Sequence, residues 1–335
     1  MASDIQPIFI IAEVGQNHDG SLGTAHSFID AVSLAGATAV KFQAHIAAAE
    51  STPEDRFRVD FSFQDKNRYD YWKRMEFTVE QWCDLKSHAE DKGLEFLCTP
   101  FSLEAAEMLN EIGLQQWKIG SGDLTFLPLL RYVAKTQKHT FLSTGMATYA
   151  EISEAISIFG GESCPLTLMQ CTSAYPSSPE LLGLNVIQEM RERFDLPVGF
   201  SDHSGKIFPS IAASVLGATA IEVHVTLSQH AFGPDISSSI TIEDLDVLCT
   251  GVNFLHRSIQ NPINKDAIAA TLNQERRLFG RAAIATRDIA PGEQLGASNI
   301  RFVKPSLGYS VSVVEGAQAL NKITKGTVIK RDDFA

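Results

Sequence analysis

The sequence lacks the features that mark several large classes of protein. It has no uninterrupted apolar run of about 18 residues, which argues against a membrane span, and no basic segment followed by an apolar core at its start, which argues against a secretory signal. Its five cysteines include no Cys-x-x-Cys pair, so neither a disulfide framework nor a cysteine zinc site is indicated, and we expect a reducing cytoplasm. Lysine and arginine total 28 against 40 aspartate and glutamate residues. That balance argues against nucleic-acid binding, which needs a basic surface.

What the sequence has is a repeated alternation of strand-like and helix-like segments. The apolar, β-rich runs are Phe9–Gly15, Ala39–His45, Glu95–Pro100, Gln115–Gly120, His139–Gly145, Leu166–Pro176, Pro197–Ser204 and Ala220–Leu227. Segments with apolar residues at helical spacing separate them, the first at Leu22–Gly36 and the last at Thr241–Ile259. This order predicts an α/β fold, a closed (β/α)₈ TIM barrel over residues 1–260. An open doubly wound sheet is the alternative, but no Gly-x-Gly-x-x-Gly follows the first strand.

Two further regions complete the predicted organisation. Residues 261–279 are polar and are interpreted as a linker. Residues 280–335 predict a small β-rich domain with a weak internal repeat, in which Arg287–Glu293 resembles Lys322–Thr327. A domain of this size lies near the lower limit for independent stability, so we expect it to depend on the barrel or on another subunit. Within the barrel, the loop Ile46–Phe77 is unusually long, and loops of this size are often functional.

Two histidines fall at the ends of the last two predicted strands, where barrel enzymes carry their chemistry. His203 and His224 each lie near an acid in the sequence, Asp202 and Glu222 respectively, and pairing with such an acid favours a ligand role because carboxylates orient metal-binding imidazoles. They are either ligands of one divalent metal or ordinary hydrogen-bonded histidines. Both interpretations stay open on the residues alone.

Two lysines interrupt apolar strands, where a charge is costly to bury without a partner. Lys41 and Lys118 either hold an anionic substrate, point outward to solvent, or supply a Schiff-base nucleophile. Hydroxyls that complete an anion site are available at neighbouring strand ends: Thr99, Ser121 and Ser143. Glu13, near the end of the first strand, is either a general acid–base group or a structural ion-pair partner. Phe101 and Phe232 lie in predicted loops beside strand ends.

Short motifs spread over the barrel resemble the sialic acid synthase family and occur in that family's order. They are Ile10–Gly20 (IIAEVGQNHDG), Val40–Gln43 (VKFQ), Cys98–Ser102 (CTPFS), Trp117–Gly122 (WKIGSG), Leu142–Met146 (LSTGM), Gln170–Pro176 (QCTSAYP), Gly199–His203 (GFSDH) and Gly233–Asp235 (GPD). The ending KGTVIKRDDF is similar to the family's antifreeze-like (SAF) domain. The resemblance implies a (β/α)₈ barrel followed by a small β-rich SAF domain, in a domain-swapped homodimer whose tails cap the partner's barrel.

The resemblance also implies a reaction and a set of roles. Phosphoenolpyruvate condenses with an N-acylated amino-sugar aldehyde, and inorganic phosphate leaves with cleavage of a C–O bond. The implied metal ligands are His203 and His224, for Mn²⁺, Mg²⁺ or Co²⁺, and Glu13 is the implied proton-transfer group. The implied phosphoenolpyruvate-binding residues are Lys41, Thr99, Lys118, Ser121, Ser143, Ser173 and Ser201. The residues implied to bind the sugar hydroxyls are Gln43, Tyr175 and Asp235, and Phe101 is implied to pack on the amino sugar.

The sequence departs from the family pattern at two places that concern the sugar. Bacterial N-acetylneuraminate synthases carry a tail arginine that contacts the N-acetyl group, but the matching stretch here, residues 303–308 (VKPSLG), has none, and Arg301 is not at the matching position. Ser173 stands where many bacterial members carry asparagine. The acceptor sugar therefore stays open, as do a pyruvate-dependent Schiff-base aldolase and a non-catalytic carbohydrate- or ice-binding protein.

Overall fold

The computed structural model describes residues 7–57, 61–306, 309 and 311–335. They divide between Gln260 and Asn261 into two compact units. Within the described part of the chain, no helix is long and apolar enough to cross a lipid bilayer.

The first unit is a closed parallel barrel, as the strand pattern predicts. Its strands are β1 (Phe9–Glu13), β2 (Ala39–Ala44), β3 (Glu95–Pro100), β4 (Gln116–Ile119), β5 (Thr140–Ser143), β6 (Leu166–Cys171), β7 (Val198–Asp202) and β8 (Ala220–Thr226). Each pairs with its neighbours in chain order, and β1 also pairs with β8, which closes the barrel. A short strand that the sequence did not signal, β9 (Ser239–Thr241), adds to β8.

Helices surround this barrel. Those of the first unit are α1 (Leu22–Leu34), α2 (Ala47–Glu50), α3 (Arg68–Met75), α4 (Val79–Asp91), α5 (Leu103–Glu111), α6 (Leu127–Lys135), α7 (Tyr149–Gly161), α8 (Leu184–Phe194), α9 (Phe208–Val215) and α10 (Ile242–Gln260). Local sequence explains several of the starts: the Ser102 side chain, for example, accepts a hydrogen bond from the Ala105 amide and so caps α5. The long loop after β2 contains α2 and α3, so it is a folded segment.

The alternation of side chains along each strand decides which residues reach the barrel interior. One residue from each of six strands forms an apolar layer inside the barrel: Ile11, Ala39, Leu97, Phe141, Met169 and Ala220. The residues two positions later on the same strands therefore also face inward, nearer the carboxyl ends of the strands. They are Glu13, Lys41, Thr99, Ser143, Cys171 and Glu222. The barrel is packed at one end and polar at the other.

The second unit contains the predicted internal repeat. Strands β10 (Ala282–Ala285) and β11 (Ile300–Val303) pair antiparallel. Ile289 and Ile323, which are equivalent in the two copies, are both buried and form a bridge to each other. Gly292 and Gly326, three residues after them, share a left-handed backbone with φ of 80° and 81°. The two halves thus use the same turn, which glycine adopts without strain.

The polar stretch interpreted as a linker has regular structure. It contains α11 (Lys265–Thr271) and α12 (Asn273–Phe279), neither of which has a buried residue. Asn264 caps α11 by accepting hydrogen bonds from the amides of Asp266 and Ala267. The polar composition that indicated a linker is that of two exposed short helices.

Candidate active site

A pocket of about 270 Å³ lies at the carboxyl ends of the strands and is called the inner pocket here. Every site residue proposed from the sequence lines it except Asp235. The proposed residues that line it are Glu13, Lys41, Gln43, Thr99, Phe101, Lys118, Ser121, Ser143, Ser173, Tyr175, Ser201, His203 and His224. Side chains from all eight strands or the turns that follow them therefore meet at one place.

The two lysines of the inner pocket are buried and point into the barrel, which rules out the outward orientation. Lys41 pairs with Glu13, donates to Thr99 Oγ1 at 3.1 Å, and lies 3.9 Å from Glu222 Oε2. Burial opposes its charge, but the carboxylates of Glu13 and Glu222 outweigh burial and raise the pKa of Lys41. This lysine is held as a cation.

Lys118 has a weaker set of partners. Its Nζ donates to Ser143 Oγ at 2.6 Å and lies 3.5 Å from Glu222 Oε1. Burial lowers the pKa of Lys118, with Glu222 opposing the change. Glu222 lies between the two lysines, which hold its pKa well below the usual range although burial opposes ionisation. An incoming anion would compete with Glu222 for both ammonium groups.

The hydroxyl groups of the inner pocket differ in their hydrogen-bond partners. Ser201 donates to Glu222 Oε1 at 2.9 Å. Ser121 accepts from the Gly145 amide at 3.0 Å and lies 3.0 Å from Cys171 Sγ. Gly145 follows β5, and Ser173 Oγ lies close to its backbone. A Cβ atom added to Gly145 would be only 2.8 Å from that oxygen. These hydroxyls, with the backbone amides beside them, form a polar lining suited to phosphate or carboxylate oxygens.

The two histidines are adjacent, with ring centroids 5.4 Å apart. His203 Nδ1 donates to the Thr172 carbonyl at 2.8 Å, so its Nε2 carries the lone pair, and Tyr175 OH lies 3.2 Å from that atom. Burial, followed by the neighbouring His224, lowers the pKa of His203 to about 3. His224 Nδ1 is buried without a hydrogen-bond partner, and Asp235 Oδ2 is 3.9 Å away.

This donor set fits a divalent metal. A neutral imidazole fixed by a backbone carbonyl is a usual ligand arrangement, and His224 offers a second nitrogen without a hydrogen-bond partner. Among the described residues, no third histidine, cysteine, aspartate or glutamate joins the two in a cluster able to hold a metal. A bound metal would therefore keep positions for water or substrate oxygen, as catalytic sites do.

One pairing suggested by the sequence is wrong. Asp202 adjoins His203 in sequence, but consecutive strand residues face opposite sides. Its carboxylate accepts from the Ser204 amide at 2.8 Å and from Ser210 Oγ at 3.0 Å, so it caps the turn that leads into α9. Glu222, two residues from His224, is on the same side as that histidine but serves the lysines.

A larger cavity of about 690 Å³, called the outer cavity here, shares Gln43, Phe101, Tyr175 and His224 with the inner pocket. Asp235 lines this cavity. Much of its wall comes from the long loop after β2. His45 is sandwiched between Trp72 and Phe101, with ring centroids 4.0 and 4.6 Å away. Phe232 packs on Phe61 and Phe63.

Sequence reasoning missed several residues of the outer cavity. Gln16 donates through Nε2 to Gln43 Oε1 at 2.6 Å and lies 2.7 Å from His45 Nε2. His45 Nδ1 in turn lies 2.7 Å from Glu50 Oε1. The unusual length of the loop was the only signal for Glu50, Tyr71 and Trp72. In the second unit, Arg301 is exposed on β11, and Leu307 and Gly308 of the stretch that lacks the arginine lie outside the described residues.

Comparison with known proteins gives consistent matches. The NeuB family model matches residues 28–264, and the SAF domain model matches residues 280–335. The N,N'-diacetyllegionaminic acid synthase of Campylobacter jejuni is 34% identical over 90% of this chain and 91% of its own length. The human N-acetylneuraminate-9-phosphate synthase is 32% identical over 85% of this chain and 80% of its own. The crystal structure of an N-acetylneuraminic acid synthetase from Leptospira borgpetersenii with citrate superposes with a TM-score of 0.71 at 31% identity, covering 81% of this chain and 93% of that one.

Proposed function

The chain belongs to the NeuB family, and from that premise we propose that it condenses phosphoenolpyruvate with an N-acylated amino-sugar aldehyde. The new C–C bond joins C3 of phosphoenolpyruvate to the aldehyde carbon. Water adds at C2, the C2–O bond breaks, and inorganic phosphate leaves. The product is a nonulosonic acid. The enzyme is thus a transferase of the sialic acid synthase type, as the names of its relatives support.

One observation carries this proposal: two buried lysines converge with several hydroxyls in a pocket of an otherwise acidic protein. Phosphoenolpyruvate has a carboxylate and a phosphate, so its binding requires two cationic contacts. Lys41 and Lys118 supply them, and Thr99, Ser121, Ser143, Ser173 and Ser201 donate further hydrogen bonds. Bound phosphoenolpyruvate competes with Glu222 for the two ammonium groups, so the ion pairs between Glu222 and the lysines become weaker.

Glu13 is proposed as the proton-transfer group. Its Oε1 accepts from Gln43 Nε2 at 2.9 Å, and its other oxygen pairs with Lys41. In strand register Glu13 lies opposite both Lys41 and His224, which supports a position between the proposed phosphoenolpyruvate site and the proposed metal ligands. From there it can hold or deliver a proton at the aldehyde oxygen or the attacking water. Gln43, Tyr175 and Asp235 bind sugar hydroxyls, and Phe101 packs on the amino sugar.

His203 and His224 are proposed to hold Mn²⁺, Mg²⁺ or Co²⁺. Such an ion supplies Lewis acidity and orientation to the open-chain aldehyde. The Thr172 carbonyl keeps the His203 ring oriented toward that position.

We further propose a cytoplasmic homodimer in which each tail caps the partner's barrel. All five cysteines are free thiols, in keeping with a reducing compartment.

Helices α9 and α10 expose large apolar side chains, among them Phe208 at 73% and Phe254 at 72% exposure. Apolar surface exposed on neighbouring helices is typical of interfaces between subunits. Sedimentation equilibrium at micromolar concentration is expected to give twice the mass of one chain.

The test of the reaction is phosphate release from phosphoenolpyruvate with Mn²⁺ across a panel of acceptors: N-acetylmannosamine, its 6-phosphate and diacetamido-trideoxy hexoses. Release that requires an acceptor and is lost in EDTA is the expected result. Because burial lowers the pKa of Lys118, as a Schiff-base lysine requires, pyruvate with borohydride is the accompanying test. Covalent trapping at Lys118, together with no acceptor-dependent phosphate release, would establish the aldolase instead.

A further inference from the structure

The outer cavity differs in charge from the inner pocket. Its wall carries the carboxylates of Glu50, Asp55, Asp123 and Asp235. Arg68 is the one lysine or arginine that lines it among the described residues. A part of the acceptor that extends from the aldehyde toward the long loop therefore meets mainly negative charge.

Arg68, the guanidinium found among the described lining residues, is already engaged. Arg68 Nε lies 3.9 Å from Asp55 Oδ2, and the guanidinium carbon lies 5.1 Å above the Trp72 ring. This guanidinium therefore already has a carboxylate and an aromatic ring beside it. Asp123 follows β4 and is partly buried; burial, with the charge of Glu50 adding to it, raises the pKa of Asp123 to about 6. That carboxyl is still mainly ionised at neutral pH.

A second, independent feature concerns hydrogen bonding. Gln16 and Glu50 line the outer cavity, and the Gln16 Oε1 and Glu50 Oε2 atoms are buried without a hydrogen-bond partner. The Gln16 residue is 3% exposed and the Glu50 side chain 7%. The other atoms of both groups are committed to the His45 network, which fixes their orientation.

Oxygens of this kind can only accept hydrogen bonds, so the group that satisfies them must be a donor. A hydroxyl or an acylamino N–H supplies such a donor, whereas an ionised phosphate supplies acceptors only. Tyr71 OH also lacks a hydrogen-bond partner in the cavity, and it can bond to either kind of group. Charge and hydrogen-bond capacity thus favour the same ligand chemistry.

We propose that the outer cavity selects an acceptor sugar whose end remote from the aldehyde is uncharged and donates hydrogen bonds, and that it rejects a phosphate ester there. Glu50, Gln16 and Asp123 are the specificity-determining residues. This inference rests on the proposed condensation and narrows its acceptor to unphosphorylated amino sugars.

The experiment compares N-acetylmannosamine with its 6-phosphate in the full-length, Mn²⁺-loaded protein. Acceptor-dependent phosphate release gives kcat/KM for each sugar, and calorimetry in the presence of phosphoenolpyruvate gives each affinity. A diacetamido-trideoxy hexose is run beside them as a second uncharged acceptor. We expect the uncharged sugars to be preferred over the 6-phosphate by 100-fold or more.

Two variants test the cause. Asp123→Asn and Glu50→Gln each remove one negative charge at nearly constant volume, and each is expected to reduce the preference by at least 10-fold. Glu154→Gln, on the exposed face of α7, is the matched control and is expected to leave the preference unchanged. An unaltered ratio in both cavity variants, or a preference of the native protein for the phosphorylated sugar, overturns the inference.

Failure of the proposed reaction is recognised separately. Absence of phosphate release with every acceptor would contradict the condensation, and the calorimetric affinities would still decide the inference. Tighter binding of the uncharged sugars would support it. Tighter binding of the 6-phosphate, or binding of none of these sugars, would overturn it.

Discussion

The inner pocket and the outer cavity open at the same end of the barrel, but they are built from different parts of the chain. Strand residues such as Lys41 and Glu222, whose positions are set by register and by the packed layer beneath them, provide the reactive groups of the inner pocket. The loop after β2 and its two short helices provide much of the outer cavity. Rigid strands suit groups that must hold their geometry through a reaction, and loops suit contacts that differ between substrates.

The two sites also handle charge differently. In the inner pocket each ammonium group has a carboxylate near it, so an anionic substrate must displace an existing partner. Among the described residues that line the outer cavity there are four carboxylates and one guanidinium. The difference predicts that variants of the inner pocket abolish the reaction, whereas variants of the outer cavity alter acceptor choice.

The largest effect is expected from Lys118→Met. The change removes a buried cation that contacts Ser143 and leaves Glu222 with Lys41 and the Ser201 hydroxyl as partners. Truncating one partner of a buried charged pair costs about 2–5 kcal/mol, so kcat/KM for phosphate release should fall about 30- to 4,000-fold, with weaker phosphoenolpyruvate binding by calorimetry. Lys135→Met, on an exposed position at the end of α6, is the control. Equal phosphoenolpyruvate affinity in both variants would remove Lys118 from the binding site.

An intermediate effect is expected from His224→Ala. It removes the buried nitrogen that has no hydrogen-bond partner, and with it one of the two proposed metal ligands. Calorimetric affinity for Mn²⁺ should fall by at least about 10- to 100-fold, because even changes behind a ligand have effects of that size. His230→Ala, in an exposed loop after β8, should bind Mn²⁺ as the native protein does. An unchanged Mn²⁺ affinity in His224→Ala would refute the metal assignment.

The same division explains how far the sequence alone could predict the molecule. Period-two alternation predicts that Lys41 and Gln43 share one face of β2 and that Glu222 and His224 share one face of β8, and all four residues line the inner pocket. The bounds of β3 are those predicted. Alternation also explains the error at Asp202, which was judged by adjacency to His203 although neighbouring strand residues face opposite sides.

Strand alternation could not predict the residues that the long loop contributes to the outer cavity. Glu50 and Trp72 are 22 positions apart, and both meet His45 only because the loop folds back over the strand end. Neither carries a local signal, since a tryptophan in an amphipathic segment most often belongs to a core. Their role depends on tertiary contacts that no periodicity encodes.

The smallest effect is expected from Trp72→Ala, which tests whether the aromatic wall serves the acceptor alone. The planes of the indole and the His45 ring are 6° from parallel, and Phe101 stacks on the other face of the His45 ring. An aromatic pair of this kind contributes about 0.5–1.5 kcal/mol beyond its buried area. Because this stack forms part of the wall of the outer cavity, its loss should raise KM for the acceptor by up to about 10-fold, with little change in kcat, and leave KM for phosphoenolpyruvate as it was.

Two companion variants make that result specific to the stack. Trp72→Phe keeps an aromatic face against His45 and should recover most of the acceptor affinity. Phe63→Ala, at a side chain 96% exposed in the same loop, should change neither constant. If Trp72→Ala instead lowered kcat and raised KM for phosphoenolpyruvate together, the loop would be supporting the strand-borne groups as well. Acceptor binding and the reaction itself would then depend on the same residues. The connection would run along β2, because His45 lies two residues beyond Gln43, and Gln43 donates a hydrogen bond to Glu13.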